Sequence, residues 1–251
     1  MMTKIGWTKE SWNPIVGCSK VSAGCMNCYA EKMAYRLVSM GNADYATVIN
    51  SKGQWIGNTH FVEPSLEKPL HWKRPREIFV CSMSDLFHET VPFEWIDRVF
   101  AMMAGCEKHT FQILTKRPER MLKYYNSGPG GGLASCIPLS NVWLGVSAEN
   151  QEMANKRIPI LLDIPAAKRF VSIEPMLESL SINDMNIDWV IVGCESGPKR
   201  RPCKLEWVEN VVFDCIGQGV PVFVKQLEIN GKVEHDMSKF PKHVQHQEKA
   251  R

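Results

Sequence analysis

The strongest constraint on the fold is an alternation of short apolar runs with helical segments, which is most regular after Arg76. Each apolar run is followed by polar side chains and, in most cases, by a helical pattern. The predicted strands cover residues 11–16, 77–83, 110–115, 141–146, 168–173, 188–193 and 221–226. Strands and helices that alternate in this way indicate parallel βα units.

Seven candidate strands without a Gly-x-Gly-x-x-Gly motif favour a barrel-like sheet over a dinucleotide-binding one. The predicted fold class is therefore α/β, a full or partial TIM-like (β/α) barrel of parallel strands. The barrel domain is predicted over residues 1–227, with an insertion at about 41–76 and a polar C-terminal tail at 228–251. A glycine-rich flexible loop is expected at 127–132. Such barrels build their active sites at the C-terminal ends of the strands.

Composition excludes several other classes of protein. A net charge of +3 gives no overall signature of nucleic-acid binding. No apolar run approaches membrane-spanning length, and the first ten residues lack the pattern of a signal peptide. The nine cysteines are therefore expected to be reduced thiols and metal ligands in a cytoplasmic protein without a membrane partner.

Three cysteines lie together near the start of the chain, between a predicted strand and a predicted helix. Cys18, Cys25 and Cys28 have the spacing C-x6-C-x2-C. A closed zinc site usually has four ligands, and a [4Fe–4S] cluster normally binds four thiolates. Three thiolates leave one iron free to bind the amine and carboxylate of S-adenosylmethionine (SAM), which is the arrangement used by radical SAM enzymes. A zinc site completed by a distant Cys or His, and ordinary thiols, stay open as alternatives.

Further segments resemble a known family: residues 12–14, 114–118, 143–147, 172–175, 192–198 and 223–226. With the cysteine motif, they resemble phage-borne three-cysteine proteins, which are regarded as radical-SAM-like with an atypical cysteine spacing. The family usually has glycine where this chain has Cys194. The resemblance implies a [4Fe–4S] cluster and SAM as cofactors, an external flavodoxin- or ferredoxin-like electron donor, and a nucleic-acid base or modified nucleotide as substrate, free or in DNA.

Polar residues after the second and third strands are candidates for binding the amino-acid part of SAM. Ser82, Ser84 and Asp85 follow the second strand, where radical SAM barrels hold the amine. An equally open alternative is that Asp85 caps a turn. Lys116 and Arg117 follow the third strand and are candidates for the SAM carboxylate. Their alternative is a solvated pair of charges.

Polar residues after the next three strands are candidates for the ribose and for catalysis. Ser147 and Glu149 fit a ribose-binding pattern, because a carboxylate accepts from both hydroxyls; they also fit a helix cap. Glu174 and Glu195 are the candidate catalytic carboxylates, which would orient the substrate or transfer protons. Alternatively, they form structural ion pairs with Arg169, Arg200 or Arg201.

Two basic runs, residues 71–76 and 199–201, are candidates for phosphate contacts. If the substrate is a polymer, we expect both runs to line one path into the barrel mouth. Ordinary basic loops are the alternative. The competing class of function is a non-catalytic, zinc-containing module that binds nucleic acid.

Overall fold

The computed structural model describes residues 5–127, 138–182 and 186–250. The glycine-rich loop predicted at 127–132 lies almost wholly outside these ranges. The strands are β1 (Glu10–Trp12), β2 (Ile15–Val16), β3 (His60–Phe61), β4 (Glu77–Val80), β5 (Thr110–Thr115), β6 (Val142–Ser147), β7 (Lys168–Ile173), β8 (Trp189–Gly193), β9 (Val222–Ile229) and β10 (Lys232–Glu234). The α-helices are α1 (Tyr29–Ser39), α2 (Glu63–Leu66), α3 (Phe93–Ala104), α4 (Pro118–Tyr125), α5 (Gln151–Leu162) and α6 (Leu205–Gln218).

The main sheet has eight strands in the order β1-β4-β5-β6-β7-β8-β9-β10. Every neighbouring pair from β1 to β9 is parallel, and β10 pairs antiparallel with β9. A mixed α/β fold with a mostly parallel sheet flanked by helices is thus confirmed. Barrel closure, and with it the TIM-like assignment, stays a prediction.

One face of the sheet packs against helices in a large apolar core. Alternate strand residues such as Ile78, Ile113 and Val190 are fully buried there, together with Val99 of α3 and Ile158 of α5. Successive side chains of a strand point to opposite faces, so every second residue of each strand points towards this core. Among the described residues, no helix combines the length and the apolar character needed to cross a membrane.

The other face carries an aromatic cluster that shows how strongly the sheet curls. Phe79 of β4 and Trp189 of β8 are four strands apart, which in a flat sheet would separate them by about 19 Å. Their ring centroids nevertheless lie 4.8 and 6.1 Å from that of Trp7. The sheet must therefore be concave on this side, with Trp7 packed in the hollow.

The predicted insertion and tail both pack on the sheet domain. Within residues 41–76, β3 pairs antiparallel with β2, directly before the cysteines. The tail begins inside β9, and the segment 246–248 returns to hydrogen-bond along Val222 and Val224. Lys249 then pairs with Glu77 on β4. These contacts hold the predicted polar tail against β9 and β4.

Candidate metal and cofactor site

A cavity of about 210 Å³ opens at the C-terminal ends of the parallel strands, on the concave face. It brings together most of the residues predicted for the site, namely Cys18, Cys25, Cys28, Ser82, Ser84, Asp85, Lys116, Arg117, Ser147, Glu174 and Glu195. Parallel strands present their C-terminal ends at one edge of the sheet, which is why residues so far apart in sequence meet here.

The cysteines lie on the loop of residues 17–28, which joins β2 to α1. Gly17 opens this cysteine loop with φ +92°, and a Cβ there would lie 2.4 Å from the carbonyl oxygen of Asn58. Only glycine adopts this conformation at little cost and allows so close an approach. A short 3-10 turn covers Ala23–Cys25, and Cys28 is the residue that precedes α1.

Glu149 anchors the middle of the cysteine loop. Its carboxylate is completely buried, with Oε1 accepting from the Gly24 N–H at 3.1 Å and Oε2 from Arg157 Nη1 at 2.9 Å. Burial raises the pKa of Glu149. A hydrogen bond from Ser22 and the charges of Arg157 and Lys116 lower this pKa by more than burial raises it, so the net shift is downward. Glu149 is buried and is absent from the cavity lining, so the predicted ribose role would require this carboxylate to be uncovered.

Glu195 anchors the end of the cysteine loop. Its Oε2 accepts from Asn27 Nδ2 at 2.9 Å and from the Arg201 backbone N–H at 2.8 Å, while the Arg201 guanidinium pairs with the same carboxylate. Arg201 also donates to the Ala23 carbonyl at 2.9 Å. The ion pair with Arg201, considered above as the alternative for Glu195, is therefore present, and the carboxylate acts on the loop.

Asp85 is 5% exposed and already has a full set of donors. Its Oδ1 accepts from Thr115 Oγ1 at 2.7 Å and the Phe87 N–H at 3.0 Å, and its Oδ2 from the Lys116 N–H and Arg117 Nη1, both at 3.1 Å. The turn-capping role is thus observed. Binding the SAM amine, which stays a prediction, would compete with four hydrogen bonds.

Arg117 links Asp85 to the first cysteine. The buried guanidinium donates to Ser19 Oγ at 2.8 Å and to the Ser19 carbonyl at 3.2 Å, and its Nη1 lies 3.9 Å from Cys18 Sγ. Its Nε lies 2.9 Å from both oxygens of Glu89. This side chain is therefore a positive charge held against Cys18 rather than the solvated group considered above.

The three thiols are half-buried and lie within range of one another's charge. Burial, and next the charge of Asp85, raise the pKa of Cys18 to about 12; Cys28 and Cys25 add to the rise and Arg117 opposes it. In the described ranges, no group of three or more His, Cys, Asp or Glu side chains that could hold a metal ion is found. In a four-iron cluster each thiolate binds a different iron. The ligands of a cluster therefore lie farther apart than the ligands of a single metal ion.

The three predicted serines differ in their hydrogen-bond partners. Ser82 Oγ donates to Asn13 Oδ1 at 3.2 Å and Ser84 Oγ to the Ile15 carbonyl at 2.9 Å, so both brace the loop before the cysteines. Ser147 Oγ accepts from Lys116 Nζ at 3.1 Å. Among the described residues, Lys116 has no carboxylate within ion-pair distance, which leaves its charge available to an anionic ligand.

Glu174 is the one of the two predicted catalytic carboxylates that faces the cavity with few partners. Lys225 Nζ lies 2.7 Å from its Oε1, and both side chains line the cavity. Glu195, in contrast, is committed to Arg201 and Asn27. The two carboxylates thus differ in their partners: Glu174 pairs with Lys225 across the cavity wall, and Glu195 holds the cysteine loop.

The two basic runs lie at opposite ends of the strands. Residues 71–76 directly precede β4, and Thr110 at the start of β5 donates to the carbonyl of Arg76. Residues 199–201 follow β8 at the cavity end. Because β4, β5 and β8 run parallel within one sheet, these ends are a strand length apart. The runs do not form the common path expected for a polymer.

Sequence reasoning missed several residues of this site: Trp7, Asn27, Arg157, Ser172 and Lys225. Ser172 lies next to the end of β7, where the rule that singled out Glu174 would also have found it. Lys225 lies in the middle of β9. Arg157 lies inside α5 and resembles any helical arginine. Its role depends on meeting Glu149, which no local pattern reveals.

Comparison with known proteins identifies the family. No curated protein and no solved structure matches the chain. A family model described as "protein of unknown function (DUF5131)" matches residues 2–249. This match spans almost the whole chain, including the cysteine loop and every strand of the sheet, so the chain belongs to the DUF5131 family.

Proposed function

We propose that this protein is a radical SAM enzyme that binds a [4Fe–4S] cluster through Cys18, Cys25 and Cys28. The observation that carries the proposal is the convergence of the three thiols on one cavity at the C-terminal ends of seven parallel strands. The same convergence supports the predicted barrel-like winding. When bound and reduced by an external electron donor, the cluster with SAM would supply a 5′-deoxyadenosyl radical.

The donor set and its surroundings fit such a cluster. The cysteine loop holds three thiols and no fourth Cys or His, which leaves one iron for SAM. The Arg117 guanidinium beside Cys18 would offset the negative charge of bound thiolates by a charge-assisted hydrogen bond. Buried contacts from Glu149 and Glu195 hold the cysteine loop in place. A ligand loop that is fixed in this way needs little ordering when the metal binds.

Among the predicted SAM-binding residues, Lys116 keeps the best support for the carboxylate. It lines the cavity, and its ammonium group donates only to the neutral hydroxyl of Ser147. Arg117 is fully used by Glu89, Asp85, Ser19 and Cys18. A carboxylate from SAM would therefore find Lys116 more readily than Arg117.

The activity test is reductive cleavage of SAM. We expect the anaerobically reconstituted, dithionite-reduced protein to form 5′-deoxyadenosine and methionine, measured by chromatography. Lys116→Met should raise the SAM concentration needed for half-maximal cleavage about tenfold, which corresponds to losing one charge-assisted bond. The control is Lys123→Met, on α4 and outside the cavity. A colourless protein that holds one zinc and forms no 5′-deoxyadenosine would instead support the nucleic-acid-binding module.

Arg117 should also set the reduction potential of the cluster. Arg117→Gln removes a positive charge and a donor beside Cys18, which favours the oxidised cluster. Losing about 1.5 kcal/mol of differential stabilisation lowers the potential of a one-electron couple by ~60 mV. The measurement is a spectroscopically monitored redox titration. An unchanged reduction potential with an intact cluster would show that Arg117 stabilises the protein structure without affecting the cluster.

A further inference from the structure

The part of the cavity wall built by β7 and β9 has unused hydrogen-bonding groups. Glu174 and Lys225 bridge across the end of β8, where Gly193 has no side chain; a Cβ there would lie 3.2 Å from Glu174 Oε1. Ser172 lies on β7, two residues before Glu174, and also lines the cavity. We call Ser172, Glu174 and Lys225 the β7–β9 wall.

Each member of this wall has hydrogen-bonding capacity to spare. Lys225 has three donors, of which the contact with Glu174 Oε1 uses one. Within the described part of the chain, Glu174 Oε2 has no hydrogen-bond partner. Among the residues that the structure describes, the Oγ of Ser172, which is 1% exposed, has no hydrogen-bond partner, and neither has the indole N–H of Trp7 in the cavity lining. Buried polar groups without partners cost free energy, which a bound ligand would recover.

The floor of the cavity beside this wall is apolar and aromatic. Trp7, Phe79 and Leu114 all line it, and the Trp7 and Phe79 rings pack at 4.8 Å between centroids. A flat ring fits such a floor, because apolar area is buried and aromatic faces stack. The wall therefore offers a carboxylate acceptor beside ammonium donors, next to a surface that favours a planar ligand.

We infer that the β7–β9 wall binds the lactam edge of a free nucleobase or nucleoside. In a lactam, a ring N–H stands beside a carbonyl oxygen; the N–H would donate to Glu174 Oε2 and the carbonyl would accept from Lys225. The wall has no net charge, so it suits a neutral ring better than a phosphate, which Glu174 would repel. The basic runs at opposite ends of the strands favour a free ligand over a polymer. This inference rests on the proposed function for its substrate role, but the binding itself does not require it.

The test compares ligands that differ only at this edge. We would measure uridine against 3-methyluridine, and inosine against 1-methylinosine, by calorimetry on the full-length protein with and without its cluster. Methylation blocks the ring N–H, so each methylated nucleoside should bind about tenfold more weakly. Glu174→Gln should weaken uridine binding by a similar factor and remove the difference between uridine and 3-methyluridine. Lys225→Met should weaken all carbonyl-bearing probes, and Glu94→Gln, exposed on α3, is the control.

Equal binding of methylated and unmethylated nucleosides to the unsubstituted protein, or no binding of either, would overturn the inference without relying on any variant. Tighter binding of a short single-stranded oligouridine than of uridine would overturn the choice of a free ligand. The two proposals fail separately. A protein that forms its cluster and cleaves SAM but ignores these nucleosides keeps the proposed function and loses the β7–β9 wall. A protein that discriminates the nucleosides but forms no cluster keeps the wall and loses the radical SAM proposal.

Discussion

Replacing Cys18, Cys25 or Cys28 by alanine is expected to abolish binding of the [4Fe–4S] cluster in each of the three variants. Each thiolate would be the only protein ligand of its iron, and the cysteine loop has no fourth cysteine to replace it. The measurement is iron and sulfide per chain after anaerobic reconstitution. We expect about four of each in the unsubstituted protein and close to none in the variants.

The matched control for these variants is Cys106→Ala. Cys106 is buried at 3% exposure near the end of α3 and does not line the cavity. Its loss should leave the iron and sulfide content unchanged. A Cys25→Ala protein that still assembles a complete four-iron cluster would refute the ligand assignment. One zinc per chain without sulfide in the unsubstituted protein would favour the zinc alternative over the cluster.

Glu149→Gln is expected to lower the free energy of unfolding by about 3–5 kcal/mol. The carboxylate and Arg157 form a fully buried ion pair, and the amide would leave the arginine charge unpaired. The same change weakens the contact with Gly24, so the cysteine loop should be less ordered and reconstitution less complete. Urea denaturation of the cluster-free protein measures the stability, and iron content measures the effect on the loop.

Two further measurements identify the ion pair as the cause. The double variant Glu149→Gln, Arg157→Met removes both charges, so it should recover much of the stability lost in the single variant. Because the folded-state pKa of Glu149 is lowered, its contribution is present above its ordinary pKa of 4.5 and is lost as the pH falls through the folded-state pKa. The single variant should therefore lose less stability than the unsubstituted protein between neutral and acidic pH. A cost below about 1 kcal/mol at neutral pH would contradict the anchoring role.

Local sequence patterns determined the parallel sheet and the place of the site. A strand that is buried on both faces appears in the sequence as a continuous apolar run. A helix between two such runs returns the chain to the same end of the sheet, so the two strands are parallel. The polar residues that follow the runs are brought to one edge by this topology alone. For that reason Lys116, Glu174 and the three cysteines line one cavity.

Only the tertiary structure decided what each charged residue does at that edge. Glu149, Glu174 and Glu195 all follow strands and look equivalent in the sequence. Glu149 meets Gly24 across 125 residues, and Glu195 meets Asn27 across 168. Such partners determine whether a carboxylate is saturated or free to bind a ligand, and they depend on how distant loops pack over the strand ends. The cysteine spacing predicts a metal-binding loop from the sequence, whereas the buried charges that hold this loop in place are a property of the folded chain.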